Sequence, residues 1–101
     1  MALTMTRTRT QTALTKLAEL TANLHGELAM VEGLLASHPE YRARLMVRRA
    51  KLTADIEALY LTLKQFDPKI DPSCIGKLDN WRAAFGRRGS KAALSRYLKA
   101  L

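Results

Sequence analysis

Arg87 and Arg88 stand between Gly86 and Gly89 in the stretch FGRRGSKAALSRY, residues 85–97, and Ser90 and Lys91 follow at what reads as a helix start. Cationic side chains at a helix N-terminus, where unpaired amides and the helix dipole already favour negative charge, suit a phosphate. The spacing is not that of the nucleotide-binding G-x-x-x-x-G-K-S/T loop. The glycines also fit a helix end followed by a tight turn, with Ser90 as the next N-cap. A second cationic set lies in YRARLMVRRAK, where Arg42, Arg44, Arg48, Arg49 and Lys51 share one helical stretch and Arg44 and Arg48 are one turn apart. The candidate nucleic-acid-binding residues are therefore Arg87, Arg88, Lys91, Arg96, Lys99, Arg44 and Arg48, in competition with the plainer reading of solvated helix faces.

Other reactive residue types are poorly placed for catalysis. His25 and His38 are thirteen residues apart, with no cysteine or paired carboxylate at zinc-ligand spacing. Cys74, the single cysteine, sits between Pro72 and Gly76 without a histidine partner. Asp55 and Glu57, two apart on a helix, point to different sides and do not form an acid–base pair. The expectation is a non-enzyme with no catalytic residues, no metal and no cofactor.

The elements that must position these residues are written in the leucine spacing. Leu14, Leu17, Thr21, Leu24, Leu28, Val31 and Leu35 alternate steps of three and four, and Leu45, Arg49, Leu52, Ile56, Leu59, Leu63 and Phe66 repeat the pattern. Between them, SHPEY holds Pro39, which disfavours helix at His38 and suits the first turn of a new helix, with Ser37 or His38 as the cap. If the chain folds back there, Val31 faces Leu45, Leu24 faces Leu52 and Leu17 faces Leu59, so the stripes are in antiparallel register. The same register sets Glu27 opposite Arg49 and Glu32 opposite Arg44. Leu20, Met30, Leu34, Met46, Val47, Tyr60 and Leu61 lie beside the main stripes. They require cover from the C-terminal third or from a second hairpin, and the shortness of the chain favours a homo-oligomer, first a dimer.

FDPKIDPSCIG, residues 66–76, stops the second helix; each Asp-Pro pair sets a turn, and Ile70 and Ile75 are placed to pin the segment. In KLDNWRAAF, Leu78, Trp81 and Phe85 form one face of a short helix that caps the core, and Leu94, Tyr97, Leu98 and Leu101 form the apolar side of the last helix. The expected fold is all-α: a coiled-coil-like antiparallel helical hairpin, a Pro-containing loop and one or two short C-terminal helices. Its parts are a flexible end over 1–12, the hairpin over 13–66, the proline loop over 67–76 and a basic helical segment over 77–101.

The stretch LTADIEALYLTLKQFDPKID, residues 52–71, resembles a family of small bacterial helical-hairpin proteins often carried on phages, plasmids or genomic islands. There a hairpin ends in Phe-Asp-Pro-x-Ile/Tyr-Asp, matched by Phe66, Asp67, Pro68, Ile70 and Asp71, and a basic stretch and another helix follow. The resemblance implies the hairpin architecture and a mobile-element setting; it assigns no site.

The chain has 101 residues, net charge +8 and 6% aromatics. Residues 1–40 are close to neutral and residues 41–101 carry nearly all of the excess, which favours a polyanionic partner. One cysteine gives no internal disulfide, and no stretch reaches the ~20 apolar residues of a membrane span, so the expected setting is cytoplasmic and off the membrane. Two functions compete: a nucleic-acid-associated accessory protein of a mobile element, binding phosphate through its basic C-terminal half, and a structural or adaptor module that binds another protein through the apolar face of the hairpin.

Overall fold

A computed structural model describes residues 9–84 and 91–101. Three α-helices account for most of them: α1 (Arg9–Ser37), α2 (Arg42–Phe66) and α3 (Lys91–Ala100). α1 and α2 pack antiparallel along their lengths, and no strand occurs among the described residues. Short 3₁₀ turns at Pro39–Tyr41, Pro72–Cys74 and Asn80–Ala84 carry the chain between helices.

The reversal forms where proline demands it. His38 leaves the helical region (φ −133°, ψ 71°) and Pro39 occupies the first position of the turn, which needs no amide donor there. Neither expected cap acts as one. His38 makes no side-chain cap hydrogen bond, and the Ser37 hydroxyl donates backwards to the Gly33 carbonyl at 3.2 Å while contacting His38 Nδ1 at 2.9 Å.

On α2 most of the predicted stripe is buried: Leu45, Leu52 and Leu63 fully and Ile56 nearly so, with Leu59 half-buried, while Arg49 and the last member, Phe66, are exposed. On α1 the buried face is broader than the predicted stripe. Val31 and Thr21 are fully buried, but Ala22, Glu27 and Leu34 join them, and Leu24, Leu28 and Leu35 are half-buried. α1 is flanked on two sides, so it buries two adjacent faces. Thr21, the polar member of the stripe, donates its hydroxyl to the Leu17 carbonyl at 2.8 Å and so enters the core with its hydrogen bond satisfied.

The C-terminal third supplies the second side. Tyr97 and Leu98 of α3 are buried in one cluster with Val31, Leu34, Leu45 and Leu52, and Trp81 and Met30 pack against it. Leu34 and Met30 are thereby covered; Leu20, Met46, Val47 and Leu61 stay 40–72% exposed. Phe85 lies outside the described residues, and Leu78 is 38% exposed.

The proline segment forms the turns its sequence specifies. Asp67 Oδ1 accepts from the Lys69 amide at 3.0 Å, and Asp71 Oδ1 accepts from the Ser73 amide at 3.1 Å, each carboxylate closing a turn two residues ahead. Leu52 is the single best probe of the hairpin. Leu52→Ala is expected to cost about 2–5 kcal/mol in a denaturant titration, and Leu52→Asp to abolish the cooperative melt seen by circular dichroism.

Candidate nucleic-acid interface and the polar contacts that build it

α3 lies against the N-terminal half of α2, where Arg44, Val47, Arg48 and Lys51 form one wall of an open groove of about 350 Å³. Tyr97, Ala100 and Leu101 form the other wall. The cations that line this groove, Arg44, Arg48 and Lys51, all come from α2, and the α3 side contributes a phenol and two apolar side chains. Arg96, one helical turn before Ala100, lies next to it, while Lys91 and Lys99 are exposed elsewhere on α3. Arg87, Arg88 and Ser90 lie outside the described residues.

The cations of this wall are not equivalent. Arg48 is drawn inward: its Nε and one terminal nitrogen donate to the two carboxylate oxygens of Glu27 at 2.5 and 2.8 Å. The Tyr97 hydroxyl donates to Glu27 Oε2 at 2.6 Å. Glu27 is 5% exposed, so its charge is compensated by a bidentate guanidinium and a phenol rather than by water. The carboxylate raises the proton affinity of Arg48, and burial, with the Glu27 hydrogen bond, pushes the Tyr97 phenol well above its ordinary value. Lys51 Nζ reaches both Asp55 oxygens at 3.1 Å one turn along. Arg44 is exposed.

The register expectation for these charges needs correcting by one residue. Glu27 pairs with Arg48 rather than Arg49, and no ion pair joins Glu32 to Arg44 among the described residues. Arg48 is the position whose side chain leaves α2 toward both α1 and α3. Arg49 lies on the far side of the α2 core stripe and contacts Met46 Sδ at 4.0 Å. A signal for Glu27 was available in the sequence. It lies one turn from Val31 and two turns from Leu34, a position where a carboxylate must find a partner.

Two further contacts dock the chain between α2 and α3. The Leu78 amide donates to the Ala22 carbonyl of α1 at 2.9 Å, and the Trp81 amide to Asn23 Oδ1 at 3.3 Å. This backbone approach is possible because Gly26 lies beneath it: a Cβ at Gly26 would come within 1.9 Å of the Leu78 oxygen. Trp81 then stacks at a tilt on Tyr97, centroids 5.5 Å apart, with the Arg82 guanidinium 5.2 Å from its ring.

His25 lies away from the turn end, against the proline segment. Its Nδ1 is 2.9 Å from the Ile75 carbonyl, which can only accept, so Nδ1 carries the proton and Nε2 accepts from the Tyr60 hydroxyl at 2.6 Å. Burial and the nearby Asp71 push the Tyr60 phenol upward. Cys74 is exposed, and its thiol faces Asp71 Oδ2 at 3.4 Å, a carboxylate that raises the thiol pKa and so disfavours the thiolate. Among the described residues no three His, Cys, Asp or Glu side chains converge as a metal-ligand set, and no helix is long and apolar enough to cross a membrane. No protein-family model, curated protein or solved structure matches the chain.

Proposed function

We propose that this chain is a non-enzymatic, cytoplasmic accessory protein of a bacterial mobile element that associates with nucleic acid through the basic face around the α2–α3 groove. The observation that carries the reading is the row of three α2 cations, Arg44, Arg48 and Lys51, along one wall of the groove. Arg44 is exposed there, Arg96 is adjacent, and the segment holding Arg87 and Arg88 leads into α3. Arg48 serves this face as a structural cation, since Glu27 already holds it.

Binding of this kind is dominated by counterion release, so affinity for duplex DNA falls steeply with salt and varies little with sequence. In mobility-shift titrations at 50–200 mM salt (about the range where such contacts are lost), Arg44→Ala combined with Arg96→Ala is expected to weaken binding. The slope of log K against log salt falls by about 0.9 per phosphate contact removed. Arg87→Ala with Arg88→Ala should act in the same direction. Absence of binding by the wild type at low salt overturns the reading. A protein-docking role is the second reading, favoured by one observation: Val47 and Leu61 of α2 are 72% and 68% exposed.

A further inference from the structure

α2 carries two apolar faces. The inner one, Leu45, Leu52, Ile56 and Leu63, is the buried core stripe. Directly opposite, Ala43, Val47, Ala50, Ala54, Ala58 and Leu61 follow one another at steps of four, three, four, four and three, and all six are exposed. At 100° per residue these six fall within about 40° of the direction pointing away from the core. A helix that is apolar on both sides is ordinarily covered on both. Within the chain, α1 and α3 cover the inner side and leave Val47 and Leu61 the two most exposed large apolar side chains among the described residues.

We infer that this outer face is covered by the same face of a second copy of the chain, with the two α2 helices antiparallel about a two-fold axis at Ala54. From Val47 to Leu61 the residue order is its own complement under that operation, while Ala43 falls opposite Gln65. Measured from Ala54, the apolar positions lie at four and seven residues on each side, so Val47 meets the partner copy's position 61 and Ala50 its position 58. Ala54 meets itself, where the absence of a larger side chain lets the helices approach closely. The charges beside the axis fit as well. Lys51 and Asp55, already joined within one helix, lie on the same flank of the stripe. The two-fold brings each copy's Lys51 within about 3 Å, along the helices, of the other's Asp55, and holds the two Lys51 about 9 Å apart. A contact between equivalent patches closes as a dimer and leaves no open end to polymerise.

The dimer extends the nucleic-acid reading without depending on it. An in-plane two-fold keeps each flank on its own side, so both α2–α3 grooves open on one side of the dimer. Arg44 is ten residues from Ala54, which sets the two Arg44 positions roughly 30 Å apart along the helices, near the ~34 Å turn of B-form DNA.

The test is sedimentation equilibrium on the full chain with variants at the axis. Wild type is expected at twice the monomer mass at tens of micromolar. Ala54→Glu should give a monomer whose far-ultraviolet circular dichroism and cooperative melt show an intact hairpin, since position 54 is exposed in the single chain. In a Cys74→Ser background, Ala54→Cys is expected to oxidise to a disulfide-linked dimer. Ala50→Cys is not, because positions 50 of the two copies would be about 12 Å apart along the axis. A monomeric wild type, a dimer unaffected by Ala54→Glu, or cross-linking at 50 in preference to 54 overturns the inference. None of these outcomes depends on whether the protein binds DNA.

Discussion

Gly26→Ala is expected to destabilise the protein by about 2–4 kcal/mol, although helix propensity alone predicts a gain of about 1 kcal/mol for removing a glycine from a helix interior. The new methyl carbon would lie 1.9 Å from the Leu78 carbonyl oxygen and 3.3 Å from the Trp81 indole nitrogen. The nearest obstacle is backbone, which cannot rotate aside as a side chain would. Residues 75–81 must lift from α1, giving up the Leu78 to Ala22 hydrogen bond and the seat of Trp81. Because Trp81 is the only tryptophan, its emission is expected to shift to the red in the same variant. Gly33 is the internal control: nothing lies within 4 Å of its Cβ position, so Gly33→Ala should add about 0.5–1 kcal/mol. Opposite signs at two glycines seven residues apart on one helix would establish the close approach; equal signs would refute it.

The second large effect centres on Glu27. Glu27→Ala is expected to cost about 3–5 kcal/mol, since it leaves the buried Tyr97 hydroxyl without its acceptor and Arg48 without its counter-charge. Arg48 can turn part-way to solvent, so the lower end of that range applies. Tyr97→Phe removes one charge-assisted hydrogen bond and is expected to cost about 1.5–3 kcal/mol. A double-mutant cycle over Glu27→Gln and Tyr97→Phe should show coupling, because the two side chains are in direct contact. pH supplies an independent readout. Folding raises the Tyr97 pKa above its ordinary value of 10.0, so the folded state holds that proton more tightly than the unfolded chain. The stabilisation is complete below about pH 10 and is lost as the pH rises beyond it. Denaturant midpoints followed from pH 8 to 11 (roughly the span of phenol titration) are therefore expected to fall for wild type and to fall less for Tyr97→Phe.

The hairpin was legible because two leucine-rich stripes repeat at the same spacing on either side of a proline turn. Leu45, Leu52, Ile56 and Leu63 are buried as that pattern requires. The Asp-Pro turns were legible because their chemistry is local. What eluded the sequence was everything that depends on a third element. Ala22, Glu27 and Leu34 are buried because α3 and residues 75–84 cover a second side of α1, and no periodicity within α1 announces which side that is. Gly26 reads as a weak point in a helix until the Leu78 backbone is placed on it. At the candidate interface, spacing put Arg44 and Arg48 on one helix, but only packing separates their roles. One guanidinium lies against a buried carboxylate and the other is in water.

The single carboxylate of Glu27 is shared by Arg48 and Tyr97, which ties the last helix to both helices of the hairpin. The last helix therefore cannot peel away in small steps: releasing Tyr97 strands a polar centre and opens Leu34 and Leu45 to water together. Amide protons of α3 should consequently exchange with deuterium as one group, through a shared opening, rather than progressively from the terminus.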